Sequence, residues 1–237
     1  MKDILKIVIT GGPCAGKTTA LEKIAEFLRN EGYSVIFCHE TATELITDGL
    51  KPFGKDIERL PLIDFQRLIL ECQLADEDIR IDAAKHLPNQ KVAILFDRGI
   101  LDNRAYITYE EFQEMLDKKG MTEEEILERY DLVIHLVSTA VDKEWIYEGT
   151  DTRQEGIEEA KALDERTMRT WSKHKRHPVI YNNCSFNGKI AMVIDEIKKY
   201  LGIKRDFTTK EYLINLKTMI QELIQIKESG PCLTLKK

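Results

Sequence analysis

The chain contains no apolar stretch near the roughly 20 residues that a membrane-spanning helix needs, so no transmembrane segment is expected. It also lacks a signal-peptide pattern, because Met1 runs almost directly into a strand-like segment; a cytoplasmic protein is expected. The five cysteines (Cys14, Cys38, Cys72, Cys184 and Cys232) are odd in number and form no C-x-x-C pair. That speaks against a disulfide framework or a zinc site and for reduced thiols, and the sequon at Asn183-Cys184-Ser185 is expected to carry no glycan. His39, His86, His135, His174 and His177 fall in no metal-ligating spacing. Positive charge is not in excess: 35 Lys and Arg against 41 Asp and Glu give a net charge of −6, which argues against a nucleic-acid-binding surface. There is no internal repeat and no low-complexity segment. At 237 residues with 43% hydrophobic content, the chain can bury a core as one domain plus an appendage.

Against these absences stands GGPCAGKTT, Gly11 to Thr19, which fits G-x-x-x-x-G-K-[ST] through Gly11, Gly16, Lys17 and Thr18. Its context is the one the motif requires. Ile4, Leu5, Ile7, Val8 and Ile9 read as a buried strand before it, and Leu21, Ile24, Ala25 and Leu28 recur at helical spacing after it. Glycines let the backbone wrap phosphates closely, with N–H groups and the positive helix end facing the anion. Lys17 would reach the β- and γ-phosphates, and the Thr18 hydroxyl would ligate Mg²⁺. The expected ligand is a nucleoside triphosphate.

Strand and helix signals then alternate. Strands are expected at Val35–Cys38, Val92–Phe96, Leu132–Val137 and around Val179-Ile180, separated by helical stretches that include a long one over 61–86. The pattern indicates an α/β fold: a P-loop NTPase with a five-stranded, parallel, doubly wound sheet flanked by helices. A kinase-like lid is expected near the start of a charged helix over 153–173. The core is read as residues 1–203. A helical tail over 204–237 carries Tyr212, Leu213, Leu216, Met219, Ile220, Leu223 and Ile224 at 3–4 spacing. That tail would either pack back on the domain or serve as a dimer or partner contact.

In open α/β sheets the site lies at the carboxyl ends of the strands. Asp97 closes the apolar run Val92–Phe96 and is the expected Mg²⁺ carboxylate. Arg98 beside it would pair with a carboxylate or touch substrate. Glu40 ends the second strand, adjacent to the P-loop strand in a 2-1-3 arrangement, and is placed to accept a proton from an acceptor hydroxyl. Arg153 is the cation expected to meet the migrating phosphoryl group, with Thr152 and Glu155 forming a capping box beside it. Asn182 and Asn183 follow the fifth strand, where a purine would sit. His135 reads as a satisfied core residue, Trp145 and Trp171 as packing. Gln66 and Gln73 would read an acceptor base or lie exposed on the long helix.

With these residues in view, the chain resembles the P-loop family that groups the nicotinamide riboside kinase domain of NadR with the TRPL-translocation-defect protein. The resembling segments are Ile9–Leu21, His39–Ile46, Phe65-Gln66, Phe96–Tyr106 (FDRGILDNRAY), Tyr130–Leu136 and Thr152–Trp171 with Leu163-Asp164. The resemblance implies a nucleoside-kinase-like domain using Mg²⁺ with ATP or GTP. It implies that Gly12, Pro13, Cys14, Ala15, Gly16, Lys17, Thr18 and Thr19, with Asp97, bind nucleotide and metal, and that Glu40 and Asp102 lie near the acceptor. The sequence lacks an AAA+ small domain, sensor and arginine finger, and the N-K-x-D guanine-reading motif. Because only residues 204–237 follow the core, the C-terminal tunnel-type β-domain that some relatives carry is not expected. Two functions are therefore expected as alternatives: a phosphotransferase with a small nucleoside-like acceptor, or a nucleotide-dependent regulatory module with slow hydrolysis.

Overall fold

A computed structural model of the chain describes residues 3–52, 60–142 and 156–203. The chain divides into two units, Met1–Ile197 and Lys198–Lys237, and the first carries the site. Arg153, Trp145, the Thr152–Glu155 box and the expected lid fall on 143–155, and the expected tail helix on 204–237; these lie outside the described residues.

Strand β1 (Asp3–Thr10) leads through the P-loop into helix α1 (Lys17–Asn30). Then come β2 (Ser34–Cys38), α2 (Thr41–Thr47), the 25-residue α3 (Leu62–His86) and β3 (Lys91–Asp97). A 3₁₀ turn at Ile100–Ala105 precedes α4 (Tyr109–Lys119) and α5 (Glu123–Glu128). The series ends with β4 (Leu132–Leu136), α6 (Thr139–Asp142), α7 (Ile157–Thr170), β5 (Val179–Ile180) and α8 (Phe186–Leu201). The boundaries of α4 and α5 have a local cause. Thr108 with Glu111 and Thr122 with Glu125 each form a reciprocal capping box, satisfying helix-terminal N–H groups that would otherwise be left bare.

The five strands form one all-parallel sheet in the order β2-β3-β1-β4-β5. This corrects the 2-1-3 expectation: β3 lies between β2 and β1, with Ile9 paired to Asp97. A sheet covered on both faces hides its central strands, and Ile7, Val8, Ile9 and Val92 to Leu95 are all 0% exposed. The chain order turns at β1, with β3 on one side and β4 on the other. The switch point, where such sheets bind ligands, therefore falls on the P-loop.

Helix α3 packs polar as well as apolar side chains against the core. Cys72 is exposed, while Phe65, Gln66, Ile69, Leu70, Gln73, Leu74 and Glu77 are buried. Gln66 and Gln73 are thus not exposed helix glutamines. Gln73 Nε2 donates to the Arg98 carbonyl (3.4 Å), and its Oε1 accepts from Asn103 Nδ2 (3.3 Å). The buried Gln66 Oε1 has no hydrogen-bond partner among the described residues.

Further along the same helix, Glu77 is fully buried, accepting from Tyr130 Oη (2.7 Å) and Arg129 Nε (3.1 Å). Burial pushes its carboxyl up to about 7, against the pull of Tyr130 and Arg129. A carboxyl raised in the folded state binds its proton more tightly than in the unfolded chain. Its contribution is therefore greatest at acid pH and is lost as pH rises from about 4.5 to about 7. The stability of the wild type relative to Glu77→Gln is expected to fall by roughly 3 kcal/mol between pH 5 and 8. Thermal or urea unfolding of both proteins across that range checks it; a difference that stays flat would place the Glu77 titration elsewhere.

Candidate nucleotide site

The loop between β1 and α1 is held by side chains from outside it. Gly11 O accepts from Arg98 Nη1 (3.3 Å) and Lys17 Nζ (3.2 Å), and Gly12 O from Lys17 Nζ (3.0 Å). The Ser138 hydroxyl donates to Pro13 O, Thr139 Oγ1 to Cys14 O (3.2 Å) and Lys189 Nζ to Ala15 O (3.2 Å). In a trans peptide the C=O and the following N–H point in opposite directions. Holding the carbonyls of Pro13, Cys14 and Ala15 on one side therefore presents the N–H groups of Cys14, Ala15 and Gly16 on the other. Those three amides donate to no protein acceptor among the described residues. Bare convergent amides at the N-terminus of a 14-residue helix are an anion site.

Two glycines are required by space and conformation. A Cβ on Gly11 would stand 2.1 Å from the Leu136 carbonyl oxygen. Gly16, the N-cap of α1, has φ 86°, and a Cβ there would strike the Phe186 ring at 2.5 Å. The first turn of the loop is pinned from α7: Gly12 N donates to Asp164 Oδ1 (2.6 Å), which also accepts from Ser138 N (3.1 Å). His135 Nε2 lies 3.3 Å from the same oxygen. It does so without hydrogen-bond geometry, and neither ring nitrogen of this 0%-exposed residue has a hydrogen-bond partner among the described residues. The reading of His135 as a core residue holds, but it is not a satisfied one.

On the other side of the loop sit the ends of β2 and β3. Lys17 is 7% exposed, and its ammonium lowers the carboxyls of both Asp97 and Glu40. At Asp97, burial outweighs Lys17 and the net shift is upward. Asp97 Oδ1 is buried with no hydrogen-bond partner among the described residues, and the Thr18 side chain is exposed at the start of α1. A carboxylate oxygen without a partner and an exposed hydroxyl are donors of the kind a hard divalent cation such as Mg²⁺ takes.

Arg98 occupies the left-handed region (φ 72°) despite carrying a side chain, at a cost of about 1–2 kcal/mol. That conformation lets one guanidinium reach three elements. Nε donates to Glu40 Oε1, Nη1 to Gly11 O, and Nη1 lies 3.6 Å from Asp102 Oδ2. Burial pushes the Glu40 carboxyl up, but Arg98, then Lys17 and the Thr43 hydroxyl (2.6 Å), outweigh it and hold it far below the usual carboxylate range. Asp102, 3% exposed, accepts from Thr10 Oγ1 (2.8 and 2.7 Å) and Trp171 Nε1 (2.6 Å), so it ties β1, the 3₁₀ turn and the end of α7 together behind the site.

A family model described as an AAA domain matches residues 6–189, from within β1 to the Lys189 contact. The chain belongs to that family. A comparison with curated proteins returns no match. This AAA domain is a P-loop NTPase domain, an α/β fold with a five-stranded parallel sheet, of a kind that binds nucleotide with Mg²⁺. No helix among the described residues is long and apolar enough to cross a membrane.

The structure gathers Lys17, Glu40, Asp97 and Arg98 on one side of the loop, and leaves the exposed Asn183 next to Asn182, whose amide is taken up by Ser138 O (2.9 Å) and Lys189 (2.7 Å). Sequence reasoning missed Ser138, Thr139 and Lys189. The first two follow a strand end and were reachable by the rule that found Asp97. Lys189 sits in a helix with other lysines, and no local pattern marks it.

Proposed function

We propose that this domain is a Mg²⁺-dependent phosphotransferase that takes ATP or GTP and phosphorylates a small nucleoside-like hydroxyl. The observation that carries the reading is the Glu40–Arg98 pair: a half-buried, ionised carboxylate held beside Lys17 and Asp97, on the sheet side away from Lys189 and Asn182. Triphosphate and acceptor then approach from opposite sides of the P-loop, the arrangement an in-line transfer needs. Thr18 and Asp97 would hold Mg²⁺, which when bound neutralises charge on the β- and γ-phosphate oxygens. Gly12 to Thr19 cradle the phosphates, and Lys17 follows the charge that develops between them. Glu40 orients the acceptor hydroxyl and receives its proton, and Arg153 would meet the migrating group from the segment before α7.

The base would lie over the β5–α8 connection near Asn183. There the Phe186 ring, 43% exposed, rests against Gly16. Stacking on an aromatic face is worth on the order of 1–3 kcal/mol and reads no base edge. Phe186→Ala is therefore expected to weaken Mg-ATP and Mg-GTP binding alike, by about tenfold, in a calorimetric titration; a loss confined to one purine would put edge recognition there instead.

The functional test is a mass-spectrometric screen of the protein with Mg-ATP and Mg-GTP against nucleosides, nicotinamide riboside and nucleoside monophosphates. A phosphorylated product that is absent with Lys17→Ala establishes the kinase and names its acceptor. Nucleotide bound or slowly hydrolysed with no acceptor modified would instead make the domain a nucleotide-dependent binding module.

A further inference from the structure

Lys189 is a lysine on α8 whose charge is taken inside the protein. It is 3% exposed, and among the described residues its ammonium donates to Ala15 O of the P-loop (3.2 Å), Val137 O just after β4 (2.7 Å) and Asn182 Oδ1 after β5 (2.7 Å). The Asn182 amide continues the network by donating to Ser138 O (2.9 Å), and the Ser138 hydroxyl donates to Pro13 O. One connected set of side chains thus fixes two of the three carbonyls whose outward direction turns the cradle amides inward. Lys189 differs from Ser138 and Thr139 in being a cation. A charged donor makes the stronger hydrogen bond, and by polarising the Ala15–Gly16 peptide it makes the Gly16 N–H a better donor on the opposite side.

We propose that Lys189 is a positioning residue for nucleotide binding, setting the Ala15–Gly16 peptide so that its N–H faces the phosphates, and tying that peptide to the β5–α8 connection through Asn182. The proposal rests on the nucleotide-binding reading of the P-loop. Lys189 touches no ligand itself; it acts through a backbone amide. Its loss should therefore fall on diphosphate and triphosphate nucleotides without regard to the base.

The test is a calorimetric titration of wild type and Lys189→Met with Mg-ADP and Mg-GDP, with ¹⁵N-labelled protein followed at the Gly16 and Thr19 amides. Lys189→Met is expected to weaken both nucleotides by the same factor, about tenfold, the range of a hydrogen bond to a charged group. At saturation the Gly16 amide should move less than in wild type while Thr19, in the first turn of α1, moves as before. A merely structural lysine would lower the melting temperature without altering the Gly16 response. A folded Lys189→Met protein that binds within threefold of wild type, or whose Gly16 amide moves as far, overturns the proposal. If Lys189→Met does not fold, Asn182→Ala, which removes one of the oxygens holding the ammonium, takes its place; a loss of threefold or more supports the proposal and a smaller one overturns it. Wild type that binds neither nucleotide would overturn the underlying P-loop reading, a result distinct from a binding wild type with an indifferent variant.

Discussion

Lys17→Ala is expected to weaken Mg-ATP and Mg-GTP binding by roughly 100-fold or more, because each hydrogen bond to a charged group is worth about 1.5–3 kcal/mol and one ammonium serves two phosphates. The surrounding charge magnifies the loss. Lys17 lowers the carboxyls of both Glu40 and Asp97, so its removal leaves those two beside Asp102 with Arg98 as their nearby cation. A polyphosphate would then approach a site whose balance has moved toward negative. The fold should survive, since the Gly11 carbonyl keeps Arg98 Nη1 as a donor and the loop keeps Ser138, Thr139 and Lys189. Calorimetry with both nucleotides, alongside thermal unfolding, separates the two effects. Unchanged affinity in Mg²⁺ would mean that the loop is not the phosphate site.

The legible and illegible parts of this domain divide by the range of the interactions that fix them. The P-loop could be read from nine consecutive residues because its chemistry is local: two glycines, a lysine and a hydroxyl at fixed offsets before a helix. The five strands were readable as short apolar runs, since strands buried on both faces carry little else. Their order was not. Where β3 lies relative to β1 is decided by packing across the sheet, and the 2-1-3 arrangement failed there, although Asp97 and Glu40 still end up on one edge because parallel strands share their carboxyl ends. The buried glutamines of α3 show the same limit. A helix with apolar residues on several sides does not reveal which arc it buries, and Gln73 goes inward because Arg98 O and Asn103 face it. Lys189 was least legible of all, because Ala15, Val137 and Asn182 lie 174, 52 and 7 residues away from it in sequence.

Glu40→Gln is expected to cut phosphoryl transfer by about 10²–10⁴-fold, the range for removing a positioned proton acceptor, while nucleotide affinity changes by less than about threefold. In the proposed role of proton acceptor the carboxylate is unusual. Arg98 and Thr43 occupy its two oxygens and Lys17 lies near, so its proton affinity is far below that of an ordinary glutamate. A weak base suits a loose transition state, in which the acceptor proton leaves late and alignment of the hydroxyl matters more than its early deprotonation. The same depression fixes the pH behaviour. Glu40 is ionised throughout the range above 4.5, so its contribution to stability and to rate is present there and is lost only as pH falls below that value toward its folded pKa. The wild-type rate should therefore show no fall assignable to this carboxylate between pH 8 and 5. Glu40→Gln should be slow across the whole range, because glutamine can hold the hydroxyl but cannot take its proton. If Glu40→Asp, which keeps the charge but withdraws it from Arg98 by one methylene, is nearly as slow as Glu40→Gln, placement by Arg98 is what makes the carboxylate effective. If Glu40→Gln transfers phosphate at the wild-type rate, the proton goes elsewhere, and the Glu40–Arg98 pair serves only to join the end of β2 to the P-loop.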